Sequence, residues 1–291
     1  MPNRLLPLLV APLLLLLAAC GSTAEPALWR VDRADASDGA EPAGWLFGTI
    51  HALPRGVNWH GAALDRAQAD AGVLMVEIRN LDRAKTQEIF QRLAVDPTLP
   101  PIAERVSPTY RDDLSEVMDE AGADPDQFHY IETWAAALTL SSMLQSQSRL
   151  DPNAGVDQAL VAEWQDRRIV GFETAEEQIR IFDQLSGDEQ QALLESLVSQ
   201  ADEMEPEALS NAWIAGDADK LAGMMDMGLG SSPDLRAALL TRRNERWIGR
   251  LLTELDAGNR PFVAVGAGHI GGPDGLIALL AKRGYKATRI Q

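Results

Sequence analysis

GWLFGTIHALP, residues 44–54, runs four mostly apolar residues into Gly48-Thr49-Ile50-His51, and a second stretch, FVAVGAGHIGG at 262–272, repeats the ending as Gly266-Ala267-Gly268-His269. A third run, GVLMVEI at 72–78, brings Glu77 to the end of the same kind of segment. Short apolar runs without alternation read as strands buried on both faces, the habit of parallel sheets. Between the first and third lies WHGAALDRAQADA, residues 59–71, with apolar residues at helical spacing. Strand, helix, strand in that order predicts an α/β fold around a central, mostly parallel sheet.

Working outward, residues 82 to about 258 are nearly all helical in pattern, so a large, mainly helical middle section interrupts the sheet. One short run, RIVGF at 168–172 and ending at Glu173, is the exception. DPDQFHYIETWAAALTLSSMLQSQS (124–148) predicts one long helix opened by an aspartate, and GVDQALVAEWQDR (155–167) another. TAEEQIRIFDQL, SGDEQQALLESLVSQ and SPDLRAALLTRRNERWIGRLLTEL each begin with a Thr or Ser suited to capping. The Met residues of MMDMG (224–228) follow helical spacing and read as core. The chain closes with a Pro-Asp-Gly turn, the helix GLIALLAKRG and the strand YKATRI.

The first residues read as an address. Arg4 precedes the apolar stretch LLPLLVAPLLLLL, which is short for a bilayer span, and LAAC ends it at Cys20, the one cysteine of the chain. The segment resembles a lipoprotein signal, implying removal of residues 1–19 and lipidation of Cys20. Residues 20–43 then form a lipidated tether containing ALWRV, a candidate edge strand, and 44–291 a single domain with the helical insertion at about 82–258. The expected place is the cell envelope, facing the periplasm, on the outer membrane where the source has one. With Cys20 acylated, no thiol remains for a disulfide, a metal or nucleophilic catalysis.

Of 291 residues, 26 are Lys or Arg and 43 are Asp or Glu, for a net charge of −17. That balance argues against nucleic acid and against an anionic bilayer surface as direct partners. Membrane contact is expected through the lipid alone.

In an open α/β sheet, ligands and catalytic groups gather at the carboxyl ends of the strands. If the three apolar strands are parallel neighbours, His51, Glu77 and His269 share one rim. The glycine three residues before each histidine leaves room where backbones crowd. Two imidazoles and a carboxylate suit zinc, manganese, cobalt or iron, with positions open for water and substrate. Strand-end histidines bonded to backbone are the plainer alternative. GAGHIG (266–271) also matches the dinucleotide fingerprint G-x-G-x-x-G, but no acid follows about twenty residues on for a ribose, and Asp274 would repel a pyrophosphate; no dinucleotide is expected.

LFGTIHALP, the VEI carboxylate, GVDQAL, GFETAEEQI, RRNERW and FVAVGAGHIGGPDGLIALLAKRGYKATRI occur in the order seen in the TraB/GumN family, which is similar to the TIKI metalloproteases. The resemblance spans Leu28 to Ile290. It implies metal-dependent hydrolysis, foremost of peptides, with a divalent transition metal on His51, Glu77 and His269. It also draws Asp157 and Glu173 in as metal ligands or general base, and Arg243 and Asn244 as groups that clamp a carboxylate or stabilise an oxyanion. A non-catalytic module binding a peptide, sugar or metal on the same scaffold is the alternative function.

Overall fold

The computed structural model describes residues 24–201, 207–229 and 232–291. The expected signal segment and the expected lipidation at Cys20 fall outside the described residues. Eight strands are present there: β1 (Leu28–Arg33), β2 (Gly44–Thr49), β3 (Leu53–Pro54), β4 (Val73–Ile78), β5 (Leu150–Asp151), β6 (Ile169–Glu173), β7 (Pro261–Gly266) and β8 (Tyr285–Arg289). The helices are α1 (Ala62–Asp70), α2 (Arg83–Leu93), α3 (Arg111–Ala121), α4 (Thr133–Gln147), α5 (Val156–Glu163), α6 (Ala175–Asp183), α7 (Gly187–Ala201), α8 (Ala208–Ile214), α9 (Ala218–Leu229), α10 (Pro233–Arg236), α11 (Arg242–Asp256) and α12 (Leu276–Ala281).

Six strands form one sheet in the order β6-β4-β7-β2-β1-β8. The first four are parallel, and β1 joins β2 and β8 antiparallel. The expected α/β class with a mostly parallel sheet is what forms. One detail differs: ALWRV was expected at an edge, but β1 is covered by β8, because the last strand of the chain returns to pair with it from Trp29↔Arg289 to Arg33↔Tyr285.

Both faces of the sheet are buried, which explains the unbroken apolar runs. Phe47, Leu74, Val76 and Phe262 face one layer with Leu64 of α1, Leu160 of α5 and Trp213 of α8. Leu46, Val73, Met75, Val263 and Val265 face the other, against Trp247 and Leu251 of α11 and Leu276 and Leu280 of α12. A separate helical core holds the insertion together, with Leu114 and Val117 of α3, Leu140 of α4 and Leu194 and Val198 of α7.

Two helix caps form as their sequences predict. Thr174 and Glu177 make a reciprocal capping box at α6, and Ser186 and Glu189 exchange the same pair of bonds at α7. The long helix predicted over 124–148 is broken: Pro125–Phe128 is a 3-10 turn, and α4 starts only at Thr133. Tertiary bonds compete with helix continuation here. Buried Arg105 donates to the carbonyls of Phe128 and Ile131, and the Glu132 amide donates to Ala94 O. The segment from Pro233 to Asp256 is continuous but contains a π turn at Ala237–Thr241, which ends two residues before Arg243. The methionines divide: Met224 is buried in the core, whereas Met227 is 60% exposed.

Candidate active site

The parallel register sets the rim. Thr49 lies opposite Gly266, Val76 opposite Ala264 and Ile78 opposite Glu173, so β2, β7, β4 and β6 end side by side. Each Gly-x-x-His glycine has its own reason. A Cβ on Gly48 would come within 3.1 Å of the Ala267 backbone, and one on Gly266 within 3.1 Å of Glu77 Oε1. The first permits the turn after β7 to close over β2. The second lets Glu77 reach the Gly266 amide, which donates to Oε1 at 2.9 Å.

His51, Glu77, Arg243 and His269 line one cavity of about 510 Å³, together with Gln178 and a wall of Leu, Met and Phe side chains. Asp157, Glu173 and Asn244 stand behind these residues and do not line it. The strand ends together with α5 and α11 therefore bring all seven expected residues to one rim, with only four lining the cavity.

Arg243 is the hub. Its Nη2 donates to Glu77 Oε2 at 2.6 Å and to Glu173 Oε2 at 2.9 Å, its Nε donates to Glu173, and its Nη1 donates to Leu239 O at 3.2 Å and to His269 Nε2 at 3.1 Å. A guanidinium has five N–H donors, and here all five have acceptors. Burial disfavours its charge, but Glu77 and Glu173 outweigh burial and push its pKa up. The expected clamp on a substrate carboxylate or oxyanion is thus not available from Arg243 as it stands, since no donor is spare.

Glu173 was a candidate base or metal ligand. It is instead a buried counter-ion, accepting from Arg243, from Arg246 at 3.2 Å and from Trp247 Nε1 at 3.0 Å. Glu77 accepts from Gly266, Gln178 and Arg243. Burial alone would raise its pKa, yet the neighbouring His269, Arg243 and His51 and the Gly266 amide hold it down at about 2, so it is a carboxylate at any working pH.

The two histidines are in opposite states. His269 is buried against Trp247, with ring centroids 4.4 Å apart, and its Nδ1 lies 2.8 Å from Asn244 Oδ1. An amide oxygen only accepts, so Nδ1 carries the proton and Nε2 offers its lone pair to Arg243. Burial and the nearby guanidinium lower its pKa to about 4. Asn244 fixes this tautomer and also donates to Asp274 O at 3.0 Å, a positioning task rather than the expected oxyanion contact.

His51, by contrast, has a side chain 76% exposed, and its Nδ1 lies 2.8 Å from Asp157 Oδ2. The bond to Asp157 raises its pKa to about 9. Thr49 Oγ1 donates to the other oxygen of Asp157. The GVDQAL segment is locked there by backbone: the Val156 amide donates to Ile50 O at 2.9 Å, and a Cβ on Gly155 would sit 2.4 Å from His51 O. Asp157 is therefore an orienting carboxylate. Thr49 and Gln178 were not singled out in the sequence; both sit inside motif blocks, but only their partners reveal them.

As it stands, the donor set does not fit a divalent ion. His269 Nε2 and Glu77 Oε1 are 3.9 Å apart, with the Arg243 guanidinium bonded to both side chains. Among the described residues no three His, Cys, Asp or Glu side chains are grouped as a metal centre would need.

The model of the TraB/PrgY/gumN family matches residues 27–289. The chain belongs to this family. The match takes in every strand of the main sheet and every residue of the cavity wall, so the TraB/PrgY/gumN domain and the described fold coincide. No curated protein and no solved structure matches the chain. Among the described residues no helix is long and apolar enough to cross a membrane.

Proposed function

We propose that this TraB/PrgY/gumN protein is a hydrolase of a carbonyl substrate, a peptide or ester, acting in the cavity with His51 as the proton-transfer group. The observation that carries the reading is the Thr49-Asp157-His51 relay: a carboxylate holds the ring through Nδ1, and among the described residues no protein group bonds Nε2. Such an imidazole moves protons while its carboxylate stabilises the charged form. The neutral ring takes a proton at Nε2 from water as the water oxygen adds to the substrate carbonyl, and the imidazolium so formed passes that proton to the departing nitrogen or oxygen as its bond to the carbonyl carbon breaks. Among the described residues Glu77 Oε1 accepts only from Gly266, so it can hold that water by hydrogen bonding. His269, neutral and fixed, keeps Arg243 in place beside it.

The metal-dependent form of the reaction, expected from the likeness to TIKI proteins, requires Arg243 to leave His269 and Glu77. Cleavage of residues 1–19, lipidation of Cys20 and an envelope location complete the proposal, with the membrane met through the lipid and a peptide or other small molecule as substrate.

The test is hydrolysis of a mixed peptide and ester library by protein lacking residues 1–20, with and without a chelator. Turnover lost in His51→Ala and kept with chelator supports the reading. Turnover that needs added zinc, manganese, cobalt or iron would restore the metal-dependent form. Ligand binding without turnover would leave the protein a binding module.

A further inference from the structure

Beyond its polar end the large cavity is mostly apolar, with Ser141, Ser196 and Gln200 as further polar side chains of its wall. Leu138, Phe182, Leu193, Leu197, Met224 and Leu240 contribute to its wall, and the charged side chains on the wall are His51, Glu77 and Arg243 alone among the described residues. A substrate arm lying there meets no charge that would repay desolvating its own. The arm that fits is aliphatic or aromatic.

A second cavity of about 190 Å³ lies against the first. The two share Trp213, Leu221, Met225, Ala267 and Gly268 in their walls. Trp213 is pinned by its indole N–H, which donates to Gly48 O at 2.7 Å, and Gly268 belongs to the 3-10 turn Ala267–His269 after β7. Met225 is different. It is half-buried, and its Cε lies so close to Gly268 that a Cβ there would stand 2.9 Å away. Methionine is unbranched and adaptable, suited to filling or closing such a gap.

We propose that the site takes a substrate with an uncharged apolar arm, and that Met225 closes the passage between the two cavities and so sets the arm's length. The proposal rests on the large cavity being the substrate site. It adds the class of substrate and the residue that limits it. Removing the thioether joins the small cavity to the large one; the added wall includes Ala27, Trp29 and Ile277, with Asp219 and Arg236 as its charged members.

The experiment is calorimetric titration of soluble protein with a homologous series of primary n-alkanols. Each buried methylene should tighten binding about fourfold until the arm meets Met225, after which affinity levels off. In Met225→Ala the break moves to longer chains by several carbons; in Met225→Leu, which refills the volume, it stays near the wild-type length. Thermal melts check that both variants fold. A flat series, or the same break in wild type and Met225→Ala, overturns the proposal. Because binding needs no proton transfer, His51→Ala should keep the wild-type break while losing turnover. A break without any hydrolysis in wild type therefore sinks the hydrolase reading and leaves this one standing.

Discussion

Arg243 donates from Nη1 to His269 Nε2 across 3.1 Å, so the lone pair that a metal would need is already spent on a fixed internal cation. The same guanidinium bridges Glu77 and Glu173. Dialysed protein is expected to hold no stoichiometric zinc, manganese, cobalt or iron on these residues, and a chelator should leave its melting temperature unchanged. Elemental analysis beside a thermal melt checks both.

Removing that cation is expected to be costly. Arg243→Ala leaves Glu77 and Glu173 facing each other in a buried setting, and breaking a buried pair from one side costs about 3–5 kcal/mol. Urea denaturation measures it. Arg243→Lys keeps the charge but cannot supply five donors in a plane, so an intermediate loss is expected. A Lys variant as stable as wild type would mean that charge alone, not the fork of bonds, holds the cluster.

The His51–Asp157 pair sets a pH dependence. His51 is raised from its ordinary value near 6.5 to about 9, with the bond to Asp157 as the largest cause. A raised base stabilises the fold below its unfolded pKa, and that gain disappears as pH climbs through the folded one. Wild type should therefore be more stable than Asp157→Asn below about pH 6.5, with the difference vanishing above about 9. Imidazole NMR titration should show the His51 midpoint falling toward 6.5 in the variant, and turnover should drop by roughly 100-fold or more, the usual span of acid–base catalysis. An unchanged midpoint would remove Asp157 from the relay.

Two glycines offer opposite outcomes. At Gly155 a Cβ would meet His51 O at 2.4 Å, and only backbone movement relieves that contact. Gly155→Ala should cost about 1–3 kcal/mol, as overpacking does, and should disturb the His51 titration with it. Gly249, exposed inside α11, has nothing within 4 Å of its Cβ position. Gly249→Ala should stabilise by about 0.5–1 kcal/mol through helix propensity alone. Paired denaturation curves decide both.

Local pattern was enough for the architecture. Strands buried on two faces must be apolar throughout, so β2, β4 and β7 stand out as runs, and each ends on or beside a residue with useful chemistry because parallel strands share one carboxyl rim. Capping chemistry is also local, which is why the starts at Thr174 and Ser186 were legible. The break before Thr133 was not, because it depends on Arg105 arriving from a distant segment to bond Phe128 and Ile131.

The site divides along the same line. Residue type and position at strand ends pointed to His51, Glu77 and His269, with Asp157, Glu173, Arg243 and Asn244 added by the family pattern. Their roles depend on which atoms face one another across α5, α6 and α11, and no spacing in one chain encodes that. Only the tertiary structure puts all five Arg243 donors to use, makes Glu173 a counter-ion and Asn244 a tautomer lock, and leaves His51 Nε2 without a protein partner among the described residues. The physical reason is that protonation state and hydrogen-bond direction belong to an environment, and packing between distant segments creates that environment.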